Sequence, residues 1–307
     1  MQTNPEIDEK IKVIVITGAT ASGKTDLSFK LAEQVDIEII SADSRQIYKY
    51  LNIGTAKPTQ NELSTVKHHF VDFLEPTQNY SAGEFGNQAY KVLLDIAARG
   101  KIPVVVGGSG LYLKGLCEGL FEENSETSML IRNNLEQKLK EYGIDTLYDE
   151  LQKIDKPLYD FYIDKNPRRI LRALEYYYST GTRLSDARKI KPNREKIQPY
   201  YFASRINRDI LYARINERVE KMWEIGLAKE TEEILKMGFS ETLNSLNTVG
   251  YKETIAYIKG ELPEVQAKEE IKKNTRHYAK RQITWFKKNS ELNFIENEFD
   301  ILAKIVI

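Results

Sequence analysis

Cysteine, histidine and proline are scarce in this chain of 307 residues, which holds one cysteine, three histidines and nine prolines. A single cysteine excludes an intramolecular disulfide framework and fits a reducing compartment. No metal-ligand spacing surrounds Cys117, so it reads as a small buried hydrophobe. His68 and His69 are the one adjacent pair, but no further ligands stand at suitable spacing, so they read as structural. No run of ~18 apolar residues occurs, so no transmembrane helix is expected. The opening MQTNPEIDEKIK has neither the basic end nor the apolar stretch of a secretion signal. A cytoplasmic protein without a membrane partner is expected. With 41% hydrophobic residues, wholesale disorder and collagen-like structure are also excluded.

Net charge is absent too, with 45 basic and 45 acidic side chains, which at first argues against a nucleic-acid partner. The distribution argues otherwise. Residues 1–150 hold 15 Lys/Arg against 22 Asp/Glu, and residues 151–307 hold 30 against 23. Residues 183–218 carry 10 basic and 4 acidic side chains, and residues 272–288 carry 7 basic and none acidic. Such asymmetry marks either a polyanion partner or a solvated helix face.

Ile11–Thr17 (IKVIVIT) is a β-branched apolar run and predicts a buried strand. Ile37–Ile40 and Ile102–Val106 repeat the pattern, and Ser81–Ala98 between them has the three-to-four spacing of a helix. Strands alternating with helices imply a parallel sheet covered on both faces. From Glu122 to about Lys196 the pattern is helical without a convincing strand. Gln198–Ala203 predicts a strand returning to the parent sheet. Residues 208–237 predict one amphipathic helix, and 264–288 one long basic helix. The expectation is an α/β fold: a P-loop NTPase-like parallel-sheet core (1–121 and 197–307) flanked by helices, with an α-helical insertion domain (122–196).

The segment Gly18, Ala19, Thr20, Ala21, Ser22, Gly23, Lys24, Thr25 fits G-x-x-x-x-G-K-[ST] after a predicted strand and at the start of a predicted helix. The glycines let the backbone wrap an anion, and successive N–H groups at the helix N-terminus point at phosphate oxygens. Lys24 supplies a point charge, and the Thr25 hydroxyl can ligate Mg²⁺. Kinases, NTPases and diphosphate-using transferases share this loop. An apolar strand ending in Asp, as an ATPase would carry, is not evident: Val104–Val106 runs into Gly107-Gly108, and Val71-Asp72 is only a short candidate.

Asp43 follows the second strand, at the sheet edge where ligands bind in open parallel sheets. It reads as a general base, a Mg²⁺ partner, or a helix N-cap. Gly107-Gly108-Ser109-Gly110 ends another strand at the same edge, as a helix-entry turn or a surface close to substrate.

Taken together, GATASGKT (18–25), ADSRQIYKYLNIGTAKP (42–58), YSAGEF (80–85), GGSGLY (107–112), NPRRILRALEYYYSTG (166–181), VGYKE (249–253) and TRHYAKRQITWFKK (275–288) resemble the tRNA dimethylallyltransferase family. The resemblance spans about Lys12 to Lys288. It implies transfer of a dimethylallyl group from dimethylallyl diphosphate to N6 of adenosine 37, next to the tRNA anticodon, with Mg²⁺ as cofactor and no ATP turnover. It implies that Gly18–Thr25 cradles the diphosphate, with Lys24 and Thr25 in the catalytic machinery, and that Asp43 is the base. Asp43, Ser44, Arg45 and Gln46 align with a tRNA-contacting stretch, as do Ser109 and the segment Pro167, Arg168, Arg169, Ile170, Leu171 and Arg172. Given the resemblance, the cations of the basic helix, Arg276, Lys280 and Arg281 among them and Lys272 and Lys273 included, are expected to meet phosphates. Trp285 and Phe286 are expected in the core, and Tyr176–Tyr178 to pack rather than stack on bases. Three positions depart from the family pattern: Ala19 stands where Pro is usual, Ser109 where Thr is usual, and Asn166 where Asp is common. A monomer is expected. The alternatives are an adenylate isopentenyltransferase, which needs no long basic helix, a small-molecule P-loop kinase, and a non-catalytic RNA-binding protein.

Overall fold

The computed structural model describes residues 10–121 and 129–305. The chain start read above for a secretion signal lies largely outside them, as does the change of texture at Glu122. Chain order is β1 (Ile11–Thr17), α1 (Lys24–Ala32), β2 (Ile37–Ser41), α2 (Gln60–Thr65), β3 (His68–His69), α3 (Ala82–Ala98), β4 (Ile102–Gly107) and α4 (Gly110–Lys114). The helices α5 (Met129–Ile154), α6 (Lys156–Phe161), α7 (Pro167–Thr180) and α8 (Leu184–Ala187) follow. The chain then continues through β5 (Ile197–Ser204), α9 (Arg208–Ile225), α10 (Leu227–Lys236), α11 (Tyr251–Ile258), α12 (Glu264–Phe286), β6 (Asn293–Ile295) and α13 (Glu298–Ile305). It divides into two units, one formed by Met1–Cys117 with Arg194–Ile307 and the other by Glu118–Asn193.

The first unit is built on a six-stranded sheet of order β3-β2-β4-β1-β5-β6, with every pairing parallel. Parallel strands are covered on both faces, which is why their sequences are continuous rather than alternating apolar runs. Val13, Val15, Ile40 and Val105 pack on one face with Phe85 and Leu93 of α3. Ile14, Ile16, Ile39 and Val104 pack on the other with Leu27 and Leu31 of α1 and Ile301 of α13. In register, Thr17 pairs with Gly107 and Ser41 with Val106, so β1, β2 and β4 end at one edge. A Cβ on Gly107 would sit 2.2 Å from the Ala42 carbonyl oxygen, so only glycine lets these strand ends approach.

Glu38 is the one charged side chain of β2 inside the core, 2% exposed. Two nitrogens of the Arg99 guanidinium grip it, Nη2 at 2.8 Å, and His69 Nε2 lies 2.8 Å away. The pairing holds the Glu38 carboxyl well below the usual carboxylate range, with Arg99 the largest cause. The histidine pair is thus structural: His69 serves Glu38 and the His68 ring meets the Val66 carbonyl at 2.7 Å.

Two expectations are corrected here. The single helix over 208–237 is two helices, broken at Gly226, whose φ of 116° ends α9 and starts α10. The sheet also carries two short edge strands, β3 and β6, that no pattern announced.

The second unit is helical throughout the described residues. Leu135, Leu147, Leu151, Ile170 and Leu174 share one core. Asn166 caps α7 through Arg169 N at 3.4 Å, so Asn does here what the commoner Asp would do. Among the described residues no helix is long and apolar enough to cross a membrane.

Candidate phosphate-binding active site

β1 runs into the glycine-rich loop, and Gly23, with φ of 85°, turns the chain into α1. Ala21 is also held at positive φ (62°), a conformation that costs a non-glycine residue free energy and so belongs to a loop shaped for a task. Lys24 folds back over this loop, donating to the carbonyls of Ala19 (2.6 Å) and Gly18 (3.2 Å). Burial brings the Lys24 ammonium down to about 8, with Asp43 pulling it up and Arg218 pushing it further down.

The loop forms one wall of a cavity of about 920 Å³. Other cations converge on it. Arg218 of α9 reaches Thr20 Oγ1 at 3.4 Å, and Arg214 and Lys221 line the same wall. Lys57 enters from the segment after β2, paired with Asp72 at 2.5 Å. Burial lowers the pKa of Lys57 and Arg218 as well, each partly offset by an acidic neighbour, Asp72 and Asp26 respectively. Three desolvated cations around one phosphate-type loop are relieved by an anion. Arg214, Arg218 and Lys221, spaced four and three residues apart on α9, are among the residues sequence reasoning missed. Their one local signal was that helical spacing inside an already basic stretch.

Asp43 stands at the end of β2 on the cavity wall. Its Oδ1 accepts from Arg45 N (2.8 Å) and Gln46 N (3.4 Å), while Oδ2 has no hydrogen-bond partner among the described residues. No helix follows Asp43, contrary to the N-cap reading: residues 44–47 form a turn, which Oδ1 holds, and the second oxygen is left open to the cavity. The Ser109 hydroxyl accepts from Ser44 N (3.1 Å) and donates to Ser44 Oγ (3.2 Å), tying the turns after β2 and β4 together. Tyr278 of α12 lines the cavity, and burial, with the Asp43 charge next, pushes its phenol up to about 12. One turn further along the same helix, Gln282 accepts from Thr20 N (2.8 Å) and donates to the Gly108 carbonyl (2.9 Å). One buried amide thus joins the basic helix, the phosphate loop and the β4 turn. Ile39, Ile53, Leu63, Val106 and Met222 add apolar side chains to the lining.

Several sequence expectations change. Gln46 is spent on the fold, donating to the Ala56 (2.9 Å) and Thr55 (3.3 Å) carbonyls while Oε1 accepts from Ser41. Arg45 donates to the Asn244 carbonyl at 2.7 Å. Ile170 is fully buried and Leu171 packs beside it in the helical core, so these two side chains support the segment and leave its surface to Pro167, Arg168 and Arg169. Arg172 pairs with Glu175 at 3.1 Å. On α12, Lys272 pairs with Glu220 and Glu269, and Lys273 with Glu270, so both are neutralised. Arg276 donates to Asn216 Oδ1 at 2.7 Å. Lys280 and Arg281 are exposed, and Lys280 forms no ion pair among the described residues. Phe286 is buried, whereas Trp285 is 44% exposed and lies against Gly110.

A parallel sheet whose first strand delivers a glycine-rich loop and lysine onto a helix N-terminus is the architecture of P-loop phosphate-binding proteins. Within that class, the model of the family described as IPP transferase matches residues 46–289. The chain belongs to the IPP transferase family. It is 39% identical to a tRNA dimethylallyltransferase of Caldicellulosiruptor saccharolyticus, over 94% of this chain and 93% of that one. It is 41% identical to that of Clostridioides difficile, over 97% of each. Among solved structures, a tRNA delta(2)-isopentenylpyrophosphate transferase from Staphylococcus epidermidis matches at 36% identity and a TM-score of 0.68, over 97% of this chain and 99% of that one. A eukaryotic dimethylallyltransferase acting on tRNA matches at 29% identity and a TM-score of 0.74, over 90% of this chain and 70% of that one.

Proposed function

We propose that the protein transfers a dimethylallyl group from dimethylallyl diphosphate to N6 of adenosine 37 in tRNA, releasing diphosphate. The observation that carries this reading is the cavity itself, whose lining combines buried cations and a phosphate loop with apolar side chains and a carboxylate that keeps one oxygen free of hydrogen bonds among the described residues. The diphosphate sits on the loop amides, with Lys24, Arg214 and Arg218 as counter-charges; Lys24 exchanges its two loop carbonyls for phosphate oxygens. The prenyl tail packs on the apolar side chains of Ile39, Leu63, Val106 and Met222.

An adenine N6 amine is a weak nucleophile because its lone pair is delocalised into the ring. The lone pair forms a bond to C1 of the prenyl group as the C1–O bond breaks and its electrons leave on diphosphate. The N6 proton goes to Asp43 Oδ2. General-base help of this kind contributes roughly 10²–10⁴-fold, and the fixed cations stabilise charge developing on the leaving group. The target base must leave its stack, at roughly a few kcal/mol.

The site suits Mg²⁺. The Thr25 hydroxyl has no hydrogen-bond partner among the described residues and lines the cavity. No cluster of three or more His, Cys, Asp or Glu is found among them to hold a metal by protein alone. Thr25 plus diphosphate oxygens and waters is the kind of sphere Mg²⁺ prefers. When bound, the ion would add positive charge at the leaving group.

Ser44 and Ser109 at the rim, Arg276, Lys280 and Arg281 on α12, and Pro167–Arg172 on α7 are assigned to the tRNA, the last chiefly through Arg168 and Arg169. This activity implies a cytoplasmic protein, and we take the acting unit to be a monomer, which gel filtration with and without RNA tests. The function is tested by incubating the protein with labelled dimethylallyl diphosphate and unmodified tRNA, then with AMP, then with ATP in place of the donor. Label on N6 of the tRNA adenosine supports the reading. Preference for AMP, or phosphate transfer from ATP, overturns it.

A further inference from the structure

The segment Leu51–Lys57, beyond the turns that follow β2, forms part of the cavity wall through Asn52, Ile53, Thr55, Ala56 and Lys57. It has no regular structure of its own, so something must hold it. Its backbone amides answer the question. Those of Asn52 (3.2 Å), Ile53 (3.0 Å) and Gly54 (3.5 Å) all donate to the carboxylate of Glu230 on α10. Three successive N–H groups on one anion form a nest of the kind that otherwise binds phosphate, here filled by the chain's own side chain.

Tyr251, the tyrosine of the VGYKE segment, completes the clamp. Its hydroxyl donates to Glu230 Oε1 at 2.6 Å and accepts from Gly54 N at 3.2 Å. The ring is fully buried, and a Cβ on Gly54 would fall 2.5 Å from it. The backbone at Gly54 therefore lies directly on the ring. Burial and the Glu230 charge keep the phenol protonated, so it remains a donor.

We propose that Glu230 and Tyr251 are positioning residues that set the cavity wall over the prenyl group and thereby decide how the activated donor partitions between adenine and water. The inference rests on the function proposed above. Neither residue lines the cavity, and both act through the Asn52–Gly54 backbone. With the clamp intact, Ile53 is held against the cavity as a hydrophobic cover. With it weakened, by loss of one carboxylate oxygen or of the tyrosine hydroxyl, the amides are held less firmly, the turn loosens, and water reaches C1 of the departing prenyl group. The water oxygen then forms the bond to C1 as the C1–O bond breaks and its electrons leave on diphosphate, the water proton passes to bulk solvent, and dimethylallyl alcohol forms in place of prenylated adenosine.

The test uses the full-length protein as Tyr251→Phe, which keeps the ring under Gly54, and Glu230→Gln, which keeps the side-chain shape. Transfer to an anticodon stem-loop RNA and release of dimethylallyl alcohol are measured together, with RNA affinity and thermal stability alongside. The expected result is transfer slowed by roughly tenfold or more, a raised share of donor lost as alcohol, and unchanged RNA affinity. A merely structural role would scale every rate with the folded fraction and leave the partition as in wild type, and that result overturns the inference. Wild-type activity combined with wild-type partition in both variants also overturns it. A wild-type protein that transfers no prenyl group would instead refute the proposed function, and this inference with it.

Discussion

Replacing Asp43 by asparagine separates the two jobs its carboxylate performs. Asn keeps an Oδ1 that can accept from Arg45 N and Gln46 N, now held at 2.8 and 3.4 Å, so the turn after β2 survives. What changes is Oδ2, which becomes an amide nitrogen and cannot take a proton. If Asp43 is the base, kcat falls by roughly 10²–10⁴, or about 3–5 kcal/mol of transition-state stabilisation. Stability should change by less than about 1 kcal/mol, whereas Asp43→Ala, which removes the turn's acceptor as well, should cost roughly 0.5–2 kcal/mol more. The substitution also removes a negative charge beside Lys24. In the wild type, kcat/KM for the donor should fall as pH rises through about 8, because Lys24 loses its proton and its hold on diphosphate. Asp43 pulls the Lys24 pKa up, so in Asp43→Asn that fall should begin at lower pH. The assay is single-turnover transfer from labelled dimethylallyl diphosphate across pH 6–10, with RNA affinity measured separately. Near-normal kcat in Asp43→Asn would refute the base assignment. A loss seen entirely as weaker RNA binding would make Asp43 a binding residue instead.

Gln282→Leu should leave Thr20 N and the Gly108 carbonyl without partners, costing roughly 1–3 kcal/mol in stability; a raised KM for the donor in steady-state kinetics should accompany it. Removing Lys280 and Arg281 together should lower the slope of log affinity for tRNA against log salt by about one to two. Removing the ion-paired Lys272 and Lys273 should leave that slope nearly unchanged, and equal effects from both pairs would mean the ion pairs open on binding. Glu38→Gln should destabilise the protein by about 2–3 kcal/mol, less than the ~3–5 of a fully buried pair because Arg99 is partly exposed. Since the Glu38 carboxyl is held below its usual range, its contribution is complete above about pH 4.3 and fades as pH falls from there. The gap between thermal melts of the two proteins should therefore be constant from pH 7 to about 5 and narrow toward pH 3 without closing there, with activity per folded molecule equal at pH 7.

What could be read in advance was what is local along the chain. Ile11–Thr17, Ile37–Ser41 and Ile102–Gly107 are continuous apolar runs because a parallel sheet covers both their faces, and the glycine-rich turn follows the first of them directly. β6 is three residues at a sheet edge, too short for any period to show, and the break between α9 and α10 rests on a single glycine inside an otherwise helical pattern. The site residues that escaped notice are those brought from far away. Arg214 and Arg218 lie nearly two hundred residues beyond the loop they face, and Gln282 some 260 beyond Thr20. Only the return of β5 beside β1, which starts α9 at the edge where the loop lies, brings Arg214 and Arg218 to it.

Charge misled for a related reason. Residues 272–288 hold no acid, but a helix turns every 3.6 residues, so Glu269 and Glu270 just upstream reach Lys272 and Lys273, and Glu220 reaches across from α9. The same period corrects the segment Pro167–Arg172. Motif resemblance treats its residues alike, whereas helix geometry sorts them. Ile170, Ala173 and Leu174 fall on the buried face of α7, and Arg168 and Arg169 fall on the exposed one. Arg168→Ala should therefore weaken RNA binding without altering the melting temperature. Ile170→Ala should lower stability by roughly 2–5 kcal/mol, as removal of a fully buried isoleucine does. The folded Ile170→Ala protein should bind RNA as the wild type does. An RNA-binding loss in that folded fraction would show that the buried side chain, and not only the helix surface it supports, determines recognition.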